Sequence, residues 1–228
     1  MRLSIIMPVL NEAARIAAAL DALAPLRARG AEVIVVDGGS RDDTVALARS
    51  RADCVLTTGP ARGAQMNAGA AAGRGSVLLF LHADTALPED ADRIIGDAFA
   101  ASPRAWGRFD VSFEGSALWL VAAMMNMRSR LTGIATGDQA IFVSCEAFDA
   151  VGGFPEIALM EDIAFSKRLK RLSPPLCLSE CVTTSPRRWH ERGVARTVLL
   201  MWRLRLAYFF GADPAQLARA YGYVPAEH

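Results

Sequence analysis

The sequence has almost no net charge, few cysteines and no long apolar segment. Its 25 basic residues nearly balance 24 acidic ones, so charge gives no reason to expect a nucleic-acid partner. No run reaches the roughly 18–20 apolar residues that a membrane span needs. The four cysteines lack a second Cys/His pair that would complete a zinc site. We therefore expect reduced thiols in a cytoplasmic protein.

Two common nucleotide-binding motifs are missing as well. The first apolar run is not followed by GxGxxG, because Pro8 and Glu12 occupy that turn, and this argues against a dinucleotide-binding turn. The absence of GxxxxGK(S/T) excludes a P-loop. Pro8 also interrupts the apolar N-terminus, so we expect a first strand there rather than a signal peptide. Without a linker or a repeat, residues 1–228 are expected to form one domain.

The composition favours a large core, with 52% hydrophobic and 21% charged residues. Apolar runs alternate with helical patterns in the first part of the chain. The strands are predicted at Leu3–Met7, Glu32–Val36, Asp53–Leu56 and Ser76–Leu81, and the helices at Ala13–Leu23, Asp42–Ser50, Gly63–Ala72 and Pro88–Ala100. This alternation predicts an α/β fold built from βαβ units around a mostly parallel sheet.

The pattern changes from Trp106 onward. Two strands are predicted at Arg108–Glu114 and Ala140–Val143, separated by a helix at Leu118–Met127 and a Gly-rich loop at Thr132–Asp138. Two further helices are predicted at Glu161–Leu172 and Val194–Phe210. The chain therefore has a second half that differs from the regular alternation of the first.

Acidic side chains follow three of the predicted strands. Glu12 and Asp37 come after the first and second strands, and Asp84 follows the apolar run at residues 77–81. Parallel strands end at one edge of a sheet, and ligands of open α/β sheets bind at that edge. A carboxylate such as Asp84 can hold a divalent cation on a phosphorylated ligand there.

Several motifs in order resemble the family 2 glycosyltransferases of GT-A fold, over roughly residues 3–190. They are Pro8–Glu12, Val35–Ser40 with Asp42–Thr44, Leu81–Asp84, Gly137–Ala140, Gly152–Phe154 and Glu161-Asp162. The stretches FLHADT, TGIATGDQAIF and LMEDIAFSKRLKRL are also similar to a bacterial subgroup associated with arsenosugar biosynthesis or radical-SAM/selenodomain proteins. The resemblance implies a nucleotide-sugar-binding half at 3–105, an acceptor and catalytic half at 106–190, and a helical segment at 191–228.

The resemblance also implies roles for individual residues toward a nucleotide-sugar donor. Pro8 and Glu12 would line the base and ribose pocket, and Asp37 would accept a hydrogen bond from the base. Arg62 and Arg188 would contact the diphosphate.

On the catalytic side, Asp84 matches the last residue of the family's DxD motif and would ligate Mg²⁺ or Mn²⁺. Asp162 matches the catalytic base, while Trp189 and Asp138 would contact the acceptor. His82 stands where DxD begins, so one carboxylate remains where two are common. Either His82 or His190 is a candidate additional ligand, since imidazole suits Mn²⁺ better than Mg²⁺.

The expected activity is metal-assisted, inverting transfer of a sugar to a small or lipid-linked acceptor. A cation on Asp84 would stabilise the leaving diphosphate, and Asp162 would deprotonate the acceptor hydroxyl. A nearby Glu161 would raise a carboxyl pKa there. A sugar-nucleotide nucleotidyltransferase and a non-catalytic nucleotide-sugar binder are the alternatives. The first normally has a Gly-rich, Arg-bearing loop after strand one, and the His82 substitution favours the second.

The apolar segment Val194–Phe210 contains Arg196, Arg203 and Arg205. One interpretation is a packing helix whose arginines reach solvent. The other is an interfacial helix on an anionic membrane surface, with Trp202 in the acyl boundary. A homodimer contact would use the same surface. The expected location is cytoplasmic, with peripheral contact to the inner face of the membrane as the second interpretation.

Overall fold

A computed structural model describes residues 1–115 and 117–222. Its strands form one sheet in the order β3-β2-β1-β4-β7-β6-β8-β5. The strands are β1 Leu3–Val9, β2 Glu32–Asp37, β3 Cys54–Thr57, β4 Val77–Phe80, β5 Thr85–Ala86, β6 Trp106–Phe113, β7 Phe142–Ser144 and β8 Leu176–Thr184.

The helices cover both faces of this sheet and its C-terminal side. They are α1 Ala13–Asp21, α2 Ala24–Ala28, α3 Thr44–Arg49, α4 Arg62–Ala72, α5 Ala91–Ala100, α6 Trp119–Thr132, α7 Cys145–Ala150, α8 Glu161–Leu169, α9 Arg187–Arg192, α10 Val194–Phe209 and α11 Pro214–Tyr221. A short 3₁₀ turn spans Gly137–Gln139.

The sheet is mostly but not purely parallel. Strands β3, β2, β1 and β4 run parallel to one another, as the alternation of the first half predicts. Strand β7 is antiparallel to both β4 and β6, whereas β6 and β8 are parallel. The prediction of an α/β fold with a largely parallel sheet is therefore confirmed, and each antiparallel pair of the described strands includes a strand of the second half.

Alternate residues of the central strands face two separate cores, because side chains of a strand alternate between its faces. Ile5 of β1 packs in one buried cluster with Leu20 of α1. Ile6 packs in the other cluster with Met66 of α4. A Cβ at Gly69 would lie only 2.4 Å from Ile6 Cγ2. The absence of a side chain at Gly69 thus allows α4 to lie directly on β1, with its N-terminus toward the strand ends.

Several elements differ from the sequence prediction. The predicted helix Ala13–Leu23 ends at Asp21, and Pro25 lies in the first turn of a separate α2, a position that proline favours. The nine-residue strand β8 was not predicted, because its Cys, Ser and Glu residues break the apolar alternation. The short helices α7, α9 and α11 were not predicted either. The predicted loop Thr132–Asp138 overlaps the end of α6 and the start of the 3₁₀ turn.

The topology brings the C-terminal ends of three strands to one edge of the sheet. Val9 at the end of β1 pairs with Asp37 at the end of β2, and Ile6 pairs with Phe80 at the end of β4. The segments that follow these strands therefore meet, and they contain Glu12 and Asp84. Over the described ranges, no helix is long and apolar enough to cross a membrane.

Candidate functional site

A cleft opens at this edge of the sheet. Its largest cavity has a volume of about 250 Å³ and is lined by Pro8, Glu12, Arg62 and Asp84, among others. Two smaller cavities of about 70 and 20 Å³ adjoin it. Arg62, His82 and Glu161 line all three cavities, so the cavities are parts of one cleft. The structure thus brings together residues from distant parts of the sequence.

The turn after β1 is held by the next βα turn. The backbone N–H of Asn11 donates to Ser40 Oγ at 2.8 Å, and that of Glu12 donates to Thr44 Oγ1 at 2.8 Å. Asn11 has a φ of 54°, a left-handed conformation that asparagine tolerates better than most residues. These contacts fix the direction in which Pro8 and Glu12 face the large cavity.

Asp37 is buried at the end of β2 and does not line any of the three cavities. Its carboxylate accepts the backbone N–H groups of Gly39 and Ser40 at about 3.0 Å. Gln65 does line the large cavity, and its Nε2 donates to the carbonyls of Val9 and Val36 at 2.9 and 2.7 Å. Gln65, which the sequence analysis did not single out, therefore joins the ends of two strands beside the cleft.

The unpredicted strand β8 positions the segment that carries Asp84. The backbone N–H of Ser185 donates to the Asp84 carbonyl at 3.0 Å, and the hydroxyls of Thr85 and Thr184 are 3.1 Å apart. The chain then enters α9, where Arg187 lines the large cavity. The neighbouring Arg188, predicted to contact the diphosphate, has a side chain outside what the structure describes. Arg187 is therefore an arginine of α9 that the structure brings to the cleft.

Arg62 and Glu161 face each other across the cleft. Their Nη1 and Oε1 atoms are 3.6 Å apart, with Arg62 47% exposed and Glu161 7% exposed. Burial raises the pKa of Glu161, which the Arg62 charge opposes and Asp162 reinforces. Desolvation alone would lower the pKa of Arg62, but Glu161, Asp138 and Asp162 outweigh it, and the net pKa is raised. Arg62 is therefore a fixed positive charge at an exposed position.

Asp162 lines both smaller cavities, next to Glu161 at the start of α8. Its Oδ2 accepts the backbone N–H of Gly137 at 3.0 Å, and its Oδ1 accepts that of Ile163 at 2.7 Å. Met160 immediately before the pair has a φ of 71°, an unfavourable conformation for a residue with a long side chain. This turn directs Glu161 and Asp162 into the same cleft.

His82 lies between the two sides of the cleft. Its Nδ1 is 3.4 Å from Asp138 Oδ1, and its ring packs against Gly137. A Cβ on Gly137 would be 2.4 Å from His82 Cε1, so the ring occupies the space that any side chain there would fill. The Gly137-Asp138 motif of the sequence thus forms the wall that holds His82.

The side chains that could ligate a metal ion fit a cation that is shared with a bound ligand better than a cation that the protein holds alone. Among the described residues, no group of three or more His, Cys, Asp and Glu side chains could hold a metal ion. Asp84 presents one carboxylate to the large cavity, and Mg²⁺ is often bound by one or two carboxylates plus substrate phosphates. The residues present are therefore compatible with a divalent cation on a diphosphate ligand.

Two predicted residues lie away from the cleft. Trp189 on α9 packs edge-to-face on Phe113, with ring centroids 5.7 Å apart, beside the buried cluster of Phe113, Leu118 and Ala122. His190 is exposed on the same helix, and neither residue lines any of the three cavities.

Tyr221 of α11 and Arg205 of α10 line the cleft instead, and no sequence signal distinguished them from other surface residues. Arg205 in particular was expected to reach solvent or a membrane surface. Its Nε is buried, because the face of α10 that carries it packs toward the cleft.

The fold is similar to those of two solved proteins whose structures contain a nucleotide sugar. The S. aureus TarS 1-349 structure in complex with UDP-GlcNAc has a TM-score of 0.68 and 18% identity, covering 81% of this chain and 58% of that one. This chain therefore spans less than two thirds of the TarS fragment. The structure of glucosyl-3-phosphoglycerate synthase from Mycobacterium tuberculosis with Mn²⁺ and UDP-glucose has a TM-score of 0.60 and 18% identity. The match covers 80% of this chain and 69% of that one.

No curated protein matches the sequence significantly. At identities this low, the similarity to solved structures shows the fold. The family follows from the sequence itself, because the model described as glycosyl transferase family 2 matches residues 4–151, more than half of the chain. The matched segment contains the turn after β1, Asp37, Arg62, Asp84 and the Gly137-Asp138 wall. The chain therefore belongs to glycosyl transferase family 2, and its fold is of the GT-A type.

Proposed function

We propose that this protein is a glycosyltransferase that transfers a sugar from a nucleotide-diphosphate sugar to a hydroxyl of a small or lipid-linked acceptor, with inversion at the anomeric carbon. The observation that carries the proposal is the shared cleft. Glu12 and Asp84 line its large cavity and Asp162 lines its smaller ones, while Arg62 and Glu161 line all of them. A donor in the large cavity would thus have its sugar end near Asp162.

The donor would lie across the large cavity. Pro8 and Glu12 would contact the base and ribose, and Arg62 and Arg187 would pair with the diphosphate, since arginine binds phosphate oxygens with two parallel hydrogen bonds. Asp84 would hold Mg²⁺ or Mn²⁺, which when bound would neutralise charge on the diphosphate. The mycobacterial synthase that shares this fold binds Mn²⁺ together with UDP-glucose, which supports a cation in the proposed complex.

Asp162 would act as the general base. Its carboxylate would take the proton of the acceptor hydroxyl as the acceptor oxygen forms a bond to the anomeric carbon. The bond between that carbon and the diphosphate oxygen breaks, and the nucleoside diphosphate leaves with its electron pair. The N–H groups of Gly137 and Ile163 hold the carboxylate in place. A single base opposite the leaving group corresponds to in-line displacement, hence the proposed inversion.

The other predicted roles remain part of the proposal. The exception is Asp37, which is predicted to accept a hydrogen bond from the base but lines none of the three cavities, so in the proposal it would act only through the turn that it caps. Asp138 would contact the acceptor and orient His82. Roles of Arg188 and Trp189, a cation ligand at His82 or His190, and the division at 3–105, 106–190 and 191–228 stay predictions. So does membership of the subgroup associated with arsenosugar biosynthesis.

We further propose that the protein is cytoplasmic and contacts a membrane surface through α10. Side chains of Leu199, Trp202, Leu206 and Phe209 are 59–72% exposed on this helix, and Trp119 of α6 is 69% exposed. Large exposed apolar surfaces mark sites of interaction, and tryptophan favours the membrane interface. Co-sedimentation with anionic vesicles tests this contact. A dimer by light scattering, without vesicle binding, would assign the surface to a second copy.

A donor panel tests the proposed activity. Purified protein is mixed with UDP-, GDP- and other nucleotide sugars, with and without Mn²⁺, and its melting temperature is measured. We expect one donor class to raise the melting temperature, more strongly with Mn²⁺, and to release a nucleoside diphosphate slowly. Release of pyrophosphate from a nucleoside triphosphate would instead indicate a nucleotidyltransferase. Binding without release or transfer would indicate a non-catalytic binder.

A further inference from the structure

Leu159 and Tyr221 lie where the two larger cavities of the cleft meet. Both residues line the cavity of about 250 Å³, where the donor would lie, and the cavity of about 70 Å³, which Asp162 also lines. Three polar residues are common to the same two cavities, namely Arg62, His82 and Glu161. The boundary between the cavities therefore combines an aliphatic and an aromatic side chain, called here the Leu159/Tyr221 pair, with polar side chains.

A small buried cluster beside the cleft supports this pair. Leu159 and Tyr221 both pack against the cluster, which consists of Met160, Ile163, Leu204 and Leu217. Two of these buried residues come from the segment that carries Glu161 and Asp162, and the others come from α10 and α11. The cluster therefore fixes the C-terminal helices against the turn that directs both carboxylates into the cleft.

Tyr221 is held at the end of α11 by contacts that need no ligand. Asp213 caps the start of the helix by accepting the N–H of Ala215 at 3.2 Å, and Gly222 ends the helix with a φ of 85°. Arg192 of α9 donates from Nη1 to the Tyr221 carbonyl at 3.1 Å, and its guanidinium lies over the ring, 5.2 Å from the centroid. The opposite face and the edge of the ring are left for other contacts.

The phenol of Tyr221 is also close to the proposed diphosphate site. Burial alone would lower the pKa of Arg62, whereas Glu161 and the Tyr221 phenol are among the groups that raise it. The phenol is therefore within electrostatic reach of Arg62, which would pair with the diphosphate. A sugar attached to that diphosphate would lie within reach of the same ring.

We propose that the Leu159/Tyr221 pair binds the apolar C–H face of the sugar that the donor carries. A pyranose ring has C–H groups on its faces and hydroxyls around its rim, so it fits a site that combines apolar and aromatic side chains with a few polar ones. The inference rests on the proposed function, because it places the donor diphosphate at Arg62 and the sugar toward Asp162. It gives a role in sugar binding to residues beyond 4–151, the segment that the family model matches.

Comparing a nucleotide sugar with its bare nucleoside diphosphate separates the sugar contact from the nucleotide contact. The two probes are the nucleotide sugar that binds most tightly in the donor panel and the corresponding nucleoside diphosphate. Their affinities are measured by calorimetry with Mn²⁺ on the wild type, Tyr221→Ala, Tyr221→Phe and Gln216→Ala. Gln216 is exposed on the same helix as Tyr221, so Gln216→Ala is the matched control.

We expect Tyr221→Ala to bind the nucleotide sugar about tenfold or more weakly than the wild type, the usual effect of lost apolar contacts in a pocket. Its affinity for the nucleoside diphosphate should stay within about threefold of the wild type, because the ring contacts only the sugar. Tyr221→Phe keeps the ring and should bind both probes normally, as should Gln216→Ala. An equal loss of both probes in Tyr221→Ala, or no loss at all, would overturn the proposal. Equal weakening in Tyr221→Phe and Tyr221→Ala would indicate a hydrogen bond from the phenol and would refute packing on the C–H face.

Leu159→Ala covers the case in which Tyr221→Ala does not fold, which circular dichroism and the melting temperature show. We expect the same selective loss of nucleotide-sugar affinity in Leu159→Ala, and wild-type affinity there would contradict the proposed site.

The outcomes also separate this inference from the proposed function. If no nucleotide sugar of the panel binds the wild type, the proposed function fails and this inference fails with it. If one binds and releases its nucleoside diphosphate, but the Tyr221 and Leu159 variants bind it normally, this inference fails alone. A raised acceptor KM with unchanged donor affinity would assign the pair to the acceptor and overturn its role toward the donor sugar.

Discussion

Arg62 Nη1 lies 3.6 Å from Glu161 Oε1, and this pair joins the start of α4 to the start of α8. The two helices come from the two halves of the chain that the sequence analysis distinguished. The carboxylate is buried and the guanidinium is half exposed, so Arg62 can turn toward a ligand while Glu161 stays in place. The pair therefore links the donor side of the cleft to the catalytic side.

The first prediction concerns Arg62. Replacing it with glutamine removes a charged donor that would pair with the diphosphate, and hydrogen bonds to charged groups contribute about 1.5–3 kcal/mol. We expect donor affinity to fall roughly 10- to 150-fold, measured by calorimetry with the nucleotide sugar identified in the panel. Arg93→Gln, an exposed position on α5, is the control and should bind the donor normally. Equal affinities in both variants would remove Arg62 from donor binding.

The raised pKa of Glu161 leads us to predict that the stability of the protein depends on pH. Its pKa in the folded protein is raised above the ordinary value of 4.5, first by burial, so the folded state binds this proton more tightly than the unfolded state does. The unfolding free energy consequently loses a contribution as the pH rises from 4.5 through the raised pKa. In Glu161→Gln the neutral amide does not titrate, so this decrease in the unfolding free energy does not occur.

We therefore expect Glu161→Gln to be more stable than the wild type at pH 8, with the difference shrinking toward pH 4.5. Urea unfolding at several pH values measures it. Glu156→Gln, at an exposed position in the loop before α8, is the control. A Glu161→Gln protein that is equally destabilised at every pH would mean that the Arg62 pair outweighs burial.

Gly137 tests the contact with His82. An alanine Cβ would lie 2.4 Å from the imidazole, and the ring can move more easily than the backbone. We expect Gly137→Ala to displace His82 and lower the transfer rate about 10- to 100-fold, since small misplacements in a site have effects of that size. Gly96→Ala on α5, where a Cβ would meet Met1 Cε at 3.8 Å, should transfer at the normal rate. A fully active Gly137→Ala enzyme would show that the position of His82 is unimportant.

We predict that replacing Gln65 with leucine lowers the stability of the protein. Its amide joins Val9 and Val36 through two buried hydrogen bonds, each worth about 1 kcal/mol. The Val9 carbonyl also accepts the N–H of Gly38, so Gln65→Leu leaves it one partner. We expect the unfolding free energy to fall by about 1–3 kcal/mol, measured by urea denaturation. Gln216→Leu, exposed on α11, should change it little. A stable Gln65→Leu protein would mean that these strand ends are held by the sheet alone.

The sequence predicted the first half of the fold well, because its strands are short apolar runs such as residues 77–81 separated by clear helical patterns. It also indicated that Glu12 and Asp84 would share an edge, since parallel strands end on one side. Strand β8 could not be predicted from periodicity, because Cys177, Ser179 and Glu180 interrupt its apolar residues. Its position in the sheet is determined by pairing with β6, far away in sequence.

The orientation of individual arginines could not be predicted from the sequence either. Helix α10 is apolar on most sides, so its pattern does not define which face packs, and only the structure distinguishes the inward Arg205 from the outward Arg203. Arg187 reaches the cleft because β8 ends beside Asp84, a contact between residues 100 apart. Motif order could identify Asp162 as a candidate, but only the fold brings Arg205 to the cavity that Asp162 lines.

The most direct test of the account is the Asp162→Asn variant, assayed for donor binding and for sugar transfer. Asparagine keeps the size of the side chain but cannot accept the proton from the acceptor. We expect donor affinity to stay within about threefold of the wild type and transfer to fall by roughly 10²- to 10⁴-fold, the usual contribution of a general base. Asp149→Asn, exposed on α7, should match the wild type in both assays. Transfer at the wild-type rate by a correctly folded Asp162→Asn protein would contradict the assignment of the base and the catalytic use of this cleft.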